Sequence, residues 1–110
     1  MKATALAAEE SCVTKLAQFF PEAIPVRIPV RVSRPAVKTA AEATIIEFGT
    51  PQEVLFTSCL PLDFEDHVHL ENSDGSLVIE AEVVAMQLHQ GKTAIAARFL
   101  KSVTNWIIKK

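Results

Sequence analysis

Ile24-Pro25-Val26-Arg27-Ile28-Pro29-Val30-Arg31-Val32 sets the fold. Its apolar residues recur at every second position. Ile24, Val26, Ile28, Val30 and Val32 share one face, and Pro25, Arg27, Pro29 and Arg31 share the other. A period of two with one apolar side belongs to a strand lying on a core. Neither proline can donate a backbone hydrogen bond, so the strand is expected at an edge or only partly paired. Ser33-Arg34-Pro35 breaks it.

Downstream the chain continues in short strand-like pieces separated by turn signals. Residues 43–48 carry Ile45 and Ile46, and Gly49-Thr50-Pro51 marks a turn. Residues 53–58 resume the strand pattern, and Leu60-Pro61-Leu62 leads to a polar corner, Asp63-Phe64-Glu65-Asp66. In 67–71, Val68 and Leu70 face inward. Asn72-Ser73-Asp74-Gly75 reads as a hairpin loop, with Gly75 free to take positive φ. Leu77, Ile79, Ala81, Val83 and Ala85 then alternate with their neighbours. Gln90-Gly91-Lys92 turns the chain into a last strand over 93–100. About six short, closely spaced strands predict a mainly β protein, a closed or nearly closed antiparallel barrel.

Upstream the period changes to that of a helix. Val13, Leu16, Ala17 and Phe20 fall at i, i+3, i+4 and i+7, Glu9 and Glu10 suit the first turns, and Pro21 ends the segment. So short a helix is marginal alone, and its apolar face is expected to pack on the barrel's end or side, or on a partner. At the other end Val103, Trp106 and Ile107 have helical spacing and predict a short C-terminal helical turn closing the barrel. The expected organisation is a helical segment over 1–22, a barrel over 23–102 and a packed tail over 103–110.

Composition narrows the classes. The chain has 110 residues, 49% hydrophobic and 22% charged, enough for one small core and unlike a disordered segment. A formal net charge of −2 gives no overall attraction for a nucleic acid polymer or an anionic membrane, so any phosphate site must be a local arginine cluster. No run is long enough for a membrane span, and Glu9-Glu10 interrupts the N-terminal apolar stretch before a secretory signal forms. Cys12 and Cys59 lack CxxC spacing, which argues against a metal knuckle and leaves a disulfide open. The expectation is a soluble cytoplasmic protein with reduced thiols.

The order of phrases in the second half resembles the PilZ domain, a bacterial β-barrel family. These phrases are Leu60-Pro61-Leu62, Glu65-Asp66, Val68-His69-Leu70, Ala81-Glu82-Val83-Val84 and Ala96-Ala97-Arg98-Phe99, and the resemblance covers about residues 23–102. It implies a six-stranded antiparallel barrel and cyclic di-GMP as a ligand. The family's RxxxR motif uses arginine forks to grip phosphates and stack on guanine. Arg27 and Arg31 satisfy that spacing. In the register where Arg27 is the motif's second arginine, Ala23 replaces the first. The family's second motif, [D/N]xSxxG, matches Phe48-Gly49-Thr50-Pro51-Gln52-Glu53 poorly. Thr50 stands in for the serine, while the acid and the final glycine are missing. The resemblance thus implies a non-enzymatic signalling adaptor with a protein partner and weak or absent cyclic di-GMP binding. The alternative is a working cyclic di-GMP receptor using Arg27 and Arg31, with Thr50 as a minor donor. Phe20 and Trp106 are candidate partner-interface residues.

A third class is a small metal-binding or enzymatic barrel. His67 and His69 share a strand face and form an HxH pair, with Asp63, Asp66 or His89 as further donors, but no spacing specifies a third ligand. An exposed polar strand face accounts for the pair equally well, and no metal or other cofactor is assigned. The acids Asp63, Glu65 and Asp66 read as a solvated corner, and no catalytic residue is assigned.

Overall fold

A computed structural model describes residues 12–35, 37–89 and 91–108, with the backbone alone for 37–40 and 89. One helix, α1 (Cys12–Ala17), precedes six strands: β1 (Ile24–Arg34), β2 (Val37–Gly49), β3 (Glu53–Ser58), β4 (His67–Glu71), β5 (Val78–His89) and β6 (Lys92–Phe99). All pairings are antiparallel, and the sheet closes in the order β1-β2-β3-β6-β5-β4. The mainly β, six-stranded antiparallel barrel with an N-terminal helix is thus the fold the chain adopts. Among the described residues no helix is long and apolar enough to cross a membrane.

The alternation that opens the barrel behaves as its pattern predicts. Val30 and Val32 are buried in the barrel and Val26 and Ile28 pack against the same core, while Arg27, Pro29 and Arg31 are exposed. Ile24, at the strand's start, is exposed as well. β1 pairs with β2 along most of its length but with β4 only at Arg31–Ser33. The half containing Pro25 and Pro29 therefore has one neighbour, which suits residues without an N–H. Phe56, Val54, Ile46, Leu70, Ile79, Val83 and Ile95 fill the interior.

β3 and β6 are buried on both faces, and α1 is the reason. Cys12, Val13 and Leu16 lie on Leu55, Ala94 and Ala96, which point out of the barrel. The two alanines let the helix come close to the wall. Six helical residues cannot hold themselves together in water, so burial of this face is what stabilises them. Of the targets open to the sequence, the helix takes the barrel's side. Phe20, the candidate partner contact, is half-buried and packs against the same cluster, as do Phe48, Val84 and Ala85. Its neighbour Phe19 is exposed, at 75%.

Local chemistry fixes the hairpins. Gly75 takes φ 75°, and the Asn72 side-chain carbonyl accepts from the Leu77 amide. The Asp74 carboxylate accepts from the amide and hydroxyl of Ser76, which holds its pKa below the ordinary carboxylate value.

Two segments depart from expectation. β2 starts at Val37, well before residue 43. Its first half runs Val-Lys-Thr-Ala-Ala-Glu and carries no alternating apolar signal. Cross-strand pairing with β1, from Arg34↔Val37 to Arg31↔Ala43, holds it instead. The C-terminal helical turn does not form. Asn105 has φ 70°, a left-handed conformation that stops a helix, and the chain bends at Thr104-Asn105. After the bend Trp106 and Ile108 turn inward with Val103, and Ile107 is left 62% exposed.

Candidate functional site

Residues 48–53 connect β2 to β3 and are built as a closed structural unit. The Thr50 amide donates to the Glu53 carbonyl at 2.9 Å. The Thr50 hydroxyl donates to the Glu53 carboxylate at 2.5 Å and accepts from the amides of Gln52 and Glu53 at 3.0 and 2.8 Å. Arg98 on β6 donates to the other Glu53 oxygen through Nε at 2.9 Å and pairs with it through Nη2 at 2.8 Å. Glu53 is nearly buried, and a buried carboxylate needs such partners. The Trp106 indole N–H donates to the Thr50 carbonyl at 2.8 Å, and its ring meets Phe99 edge-on with centroids 5.4 Å apart.

Two candidates are therefore placed away from solvent. Thr50 is 2% exposed, and its hydroxyl already serves three partners. Trp106 is 4% exposed and stoppers the barrel's end. Sequence reasoning missed the Thr50–Glu53–Arg98 cluster. A signal was present in the Thr-x-x-Glu spacing of Thr50-Pro51-Gln52-Glu53, which resembles a helix capping box and here closes a strand-to-strand turn.

Arg27 and Arg31 stand on the outward face of β1, both exposed and neither with a hydrogen bond or ion pair among the described residues. Four residues of extended chain separate them by about 13 Å. They open onto different depressions. Arg27 lines a small one of about 360 Å³ with Thr14, Ile45, Glu47 and Phe48. Arg31 lines a groove of about 670 Å³ across β2, β1 and β4, with Pro29, Ser33, Ala41, His69, Glu71 and Ser73 among its walls. The arginines do not converge on one point.

His69, half-buried at the edge of this groove, sits between two carboxylates. Nδ1 meets Glu80 at 2.5 Å and Nε2 meets Glu71 at 3.2 Å. Burial alone would lower its pKa, but hydrogen bonds to Glu80 and Glu71 and their negative charges outweigh that, and the net shift is upward from 6.5. His67 is exposed, two residues before, opposite Glu82. Among the described residues no group of three or more His, Cys, Asp or Glu is arranged to hold a metal; the side chain of His89 lies outside them.

At the acidic corner, Asp66 accepts from the Asp63 amide at 2.8 Å and lies 3.5 Å from Arg34, which also donates to the Pro61 carbonyl. Its carboxylate holds the corner in place. Cys12 is buried under α1 and Cys59 is exposed, and both thiols are free. Compared with known protein families and with curated proteins, the sequence matches no family model and no curated protein.

Proposed function

We propose that the chain is a cytoplasmic bacterial signalling barrel of PilZ type, non-enzymatic, that acts by docking a protein partner and binds cyclic di-GMP weakly or not at all. The six-stranded antiparallel barrel is the architecture that the phrases in its second half imply. The observation that carries the reading is the state of Thr50. The residue in place of the motif's serine is buried, and its hydroxyl is spent on Glu53 and two backbone amides. Freeing it for a ligand would take the donor from one Glu53 oxygen and the acceptor from two amides, at a cost of roughly 1–3 kcal/mol for each buried group left unsatisfied. Calorimetry with cyclic di-GMP at low and at physiological salt tests this. The expected result is no saturable heat and no rise in melting temperature. Saturable micromolar binding overturns it.

The receptor reading keeps one observation in its favour, the exposed and unpartnered guanidinium groups of Arg27 and Arg31. On that reading Arg27→Ala abolishes nucleotide binding. An unchanged affinity rejects the assignment.

A further inference from the structure

The wall of the barrel is hollowed along β1, and the cause lies in the residues beside it. Ser33 stands opposite Ala41 and Arg31 opposite Ala43, and both β2 alanines are exposed. With no bulk on the β2 side, the outward face drops into the groove described above. Pro29 and Ala41 give it apolar walls, and Arg31, Ser33 and Ser73 line it with their polar groups. None of those three side chains has a hydrogen-bond partner among the described residues. An unpartnered guanidinium and two unpartnered hydroxyls, with Pro29 and Ala41 as apolar walls, make an arrangement for receiving an oxyanion attached to an apolar body.

The charge balance favours one kind of oxyanion. Glu71 also lines the groove, half-exposed and hydrogen-bonded to His69. A dianionic phosphate would be repelled by it more strongly than a carboxylate carrying a single charge. Arg27 repeats the cation on the same strand face, about 13 Å away. Pro29 lies between the two arginines, with Ile45 opposite it on β2. An extended peptide places side chains four residues apart at that same separation. Glu47 lines the Arg27 depression, so that end is the weaker of the two.

We infer that the outward face of β1 is the docking surface for an extended acidic segment of a partner protein. One carboxylate side chain seats on Arg31 in the groove, and a second, four residues away, lies against Arg27. The inference rests on the adaptor reading and names the chemistry of its partner.

The test is a ¹⁵N NMR titration of the full chain with a blocked peptide, acetyl-Glu-Val-Ser-Val-Glu-amide. Its controls are the same peptide with both glutamates replaced by glutamine, and inorganic phosphate. The expected result is saturable shifts of the amides of Val30–Ser33 and Glu71–Ser73, weakening as salt rises and missing with the glutamine peptide. Arg31→Ala should reduce the affinity roughly tenfold or more, the loss of one charge-assisted contact, and Arg27→Ala by less. Both side chains are exposed, so melting temperatures of the variants should match the parent. No saturation, equal shifts with the glutamine peptide, or an Arg31→Ala affinity equal to the parent's each overturns the inference. Equal shifts with phosphate also overturn it, by showing a general anion site. A silent peptide titration together with silent cyclic di-GMP calorimetry removes the docking face and leaves the adaptor reading. Cyclic di-GMP heat removes the adaptor reading whatever the peptide does.

Discussion

His69 shows how a single side chain takes its properties from the strands around it. It stands opposite Glu80 on β5 and Ser33 on β1, and Glu71 lies two residues along its own strand. The ring bridges two carboxylates, and its pKa rises above 6.5. A histidine with a raised folded pKa stabilises the fold while protonated. Its contribution is full below the unfolded value of 6.5 and disappears as pH rises through the folded value. His69→Gln should therefore lower the urea midpoint near about pH 6 and leave it nearly unchanged near about pH 9. A midpoint difference that is the same at both pH values would show that the ring stabilises by packing alone. The sequence displayed an HxH pair, which reads either as two metal donors or as an exposed polar strand face. The carboxylates that engage His69 become its neighbours only through the β4–β5 register, which spacing along the chain does not reveal. Thr50 carries the same lesson. Its residue type suited a ligand motif, and only the turn shows that its hydroxyl is already in use.

Among the elements, α1 depends most on its surroundings. Its six residues have no stability of their own, and the apolar face of Cys12, Val13 and Leu16 covers Leu55, Ala94 and Ala96. Leu16 is buried in this contact, at 4% exposure. Leu16→Ala should cost about 2–5 kcal/mol in urea unfolding, since the barrel wall beneath is rigid and cannot collapse onto the gap. A loss under about 1 kcal/mol would mean that the helix adds little to the barrel. Strands with one face on the core were legible because burial writes a period of two into them, as in β1 and in β4, where Val68 and Leu70 alternate with exposed or half-buried residues. The first half of β2 was not, because backbone pairing with β1 holds it and leaves no trace in side-chain hydropathy. The tail misled for the opposite reason. Val103, Trp106 and Ile107 had helical spacing, but the left-handed Asn105 turns the chain so that Trp106 and Ile108 are the residues that face in.

At the scale of the whole molecule, closing a sheet leaves two open ends, and this barrel fills one of them with its own C-terminal segment. Trp106 makes that closure: its indole N–H reaches the Thr50 carbonyl, its ring packs on Phe99, and it belongs to the same buried cluster as Phe56 and Ile95. The fit requires a glycine at the end of β2. A Cβ on Gly49 would lie 2.6 Å from Trp106 Cζ2 and 2.8 Å from Ile108 Cδ1, closer than atoms can stand. Gly49→Ala leaves the backbone unstrained, so its effect falls on the stopper. Overpacking of this kind costs about 1–3 kcal/mol. Trp106 is the chain's one tryptophan and there is no tyrosine, so its fluorescence reports the closure directly. Gly49→Ala should shift the native emission to the red and lower the unfolding midpoint. If the tail is part of the barrel's cooperative unit, fluorescence and circular dichroism will still unfold together in the variant. If fluorescence changes at lower denaturant than circular dichroism, the tail is a separable cap on a barrel that stands without it. An unshifted emission with an unchanged midpoint would mean that Trp106 does not fill the end of the barrel in solution.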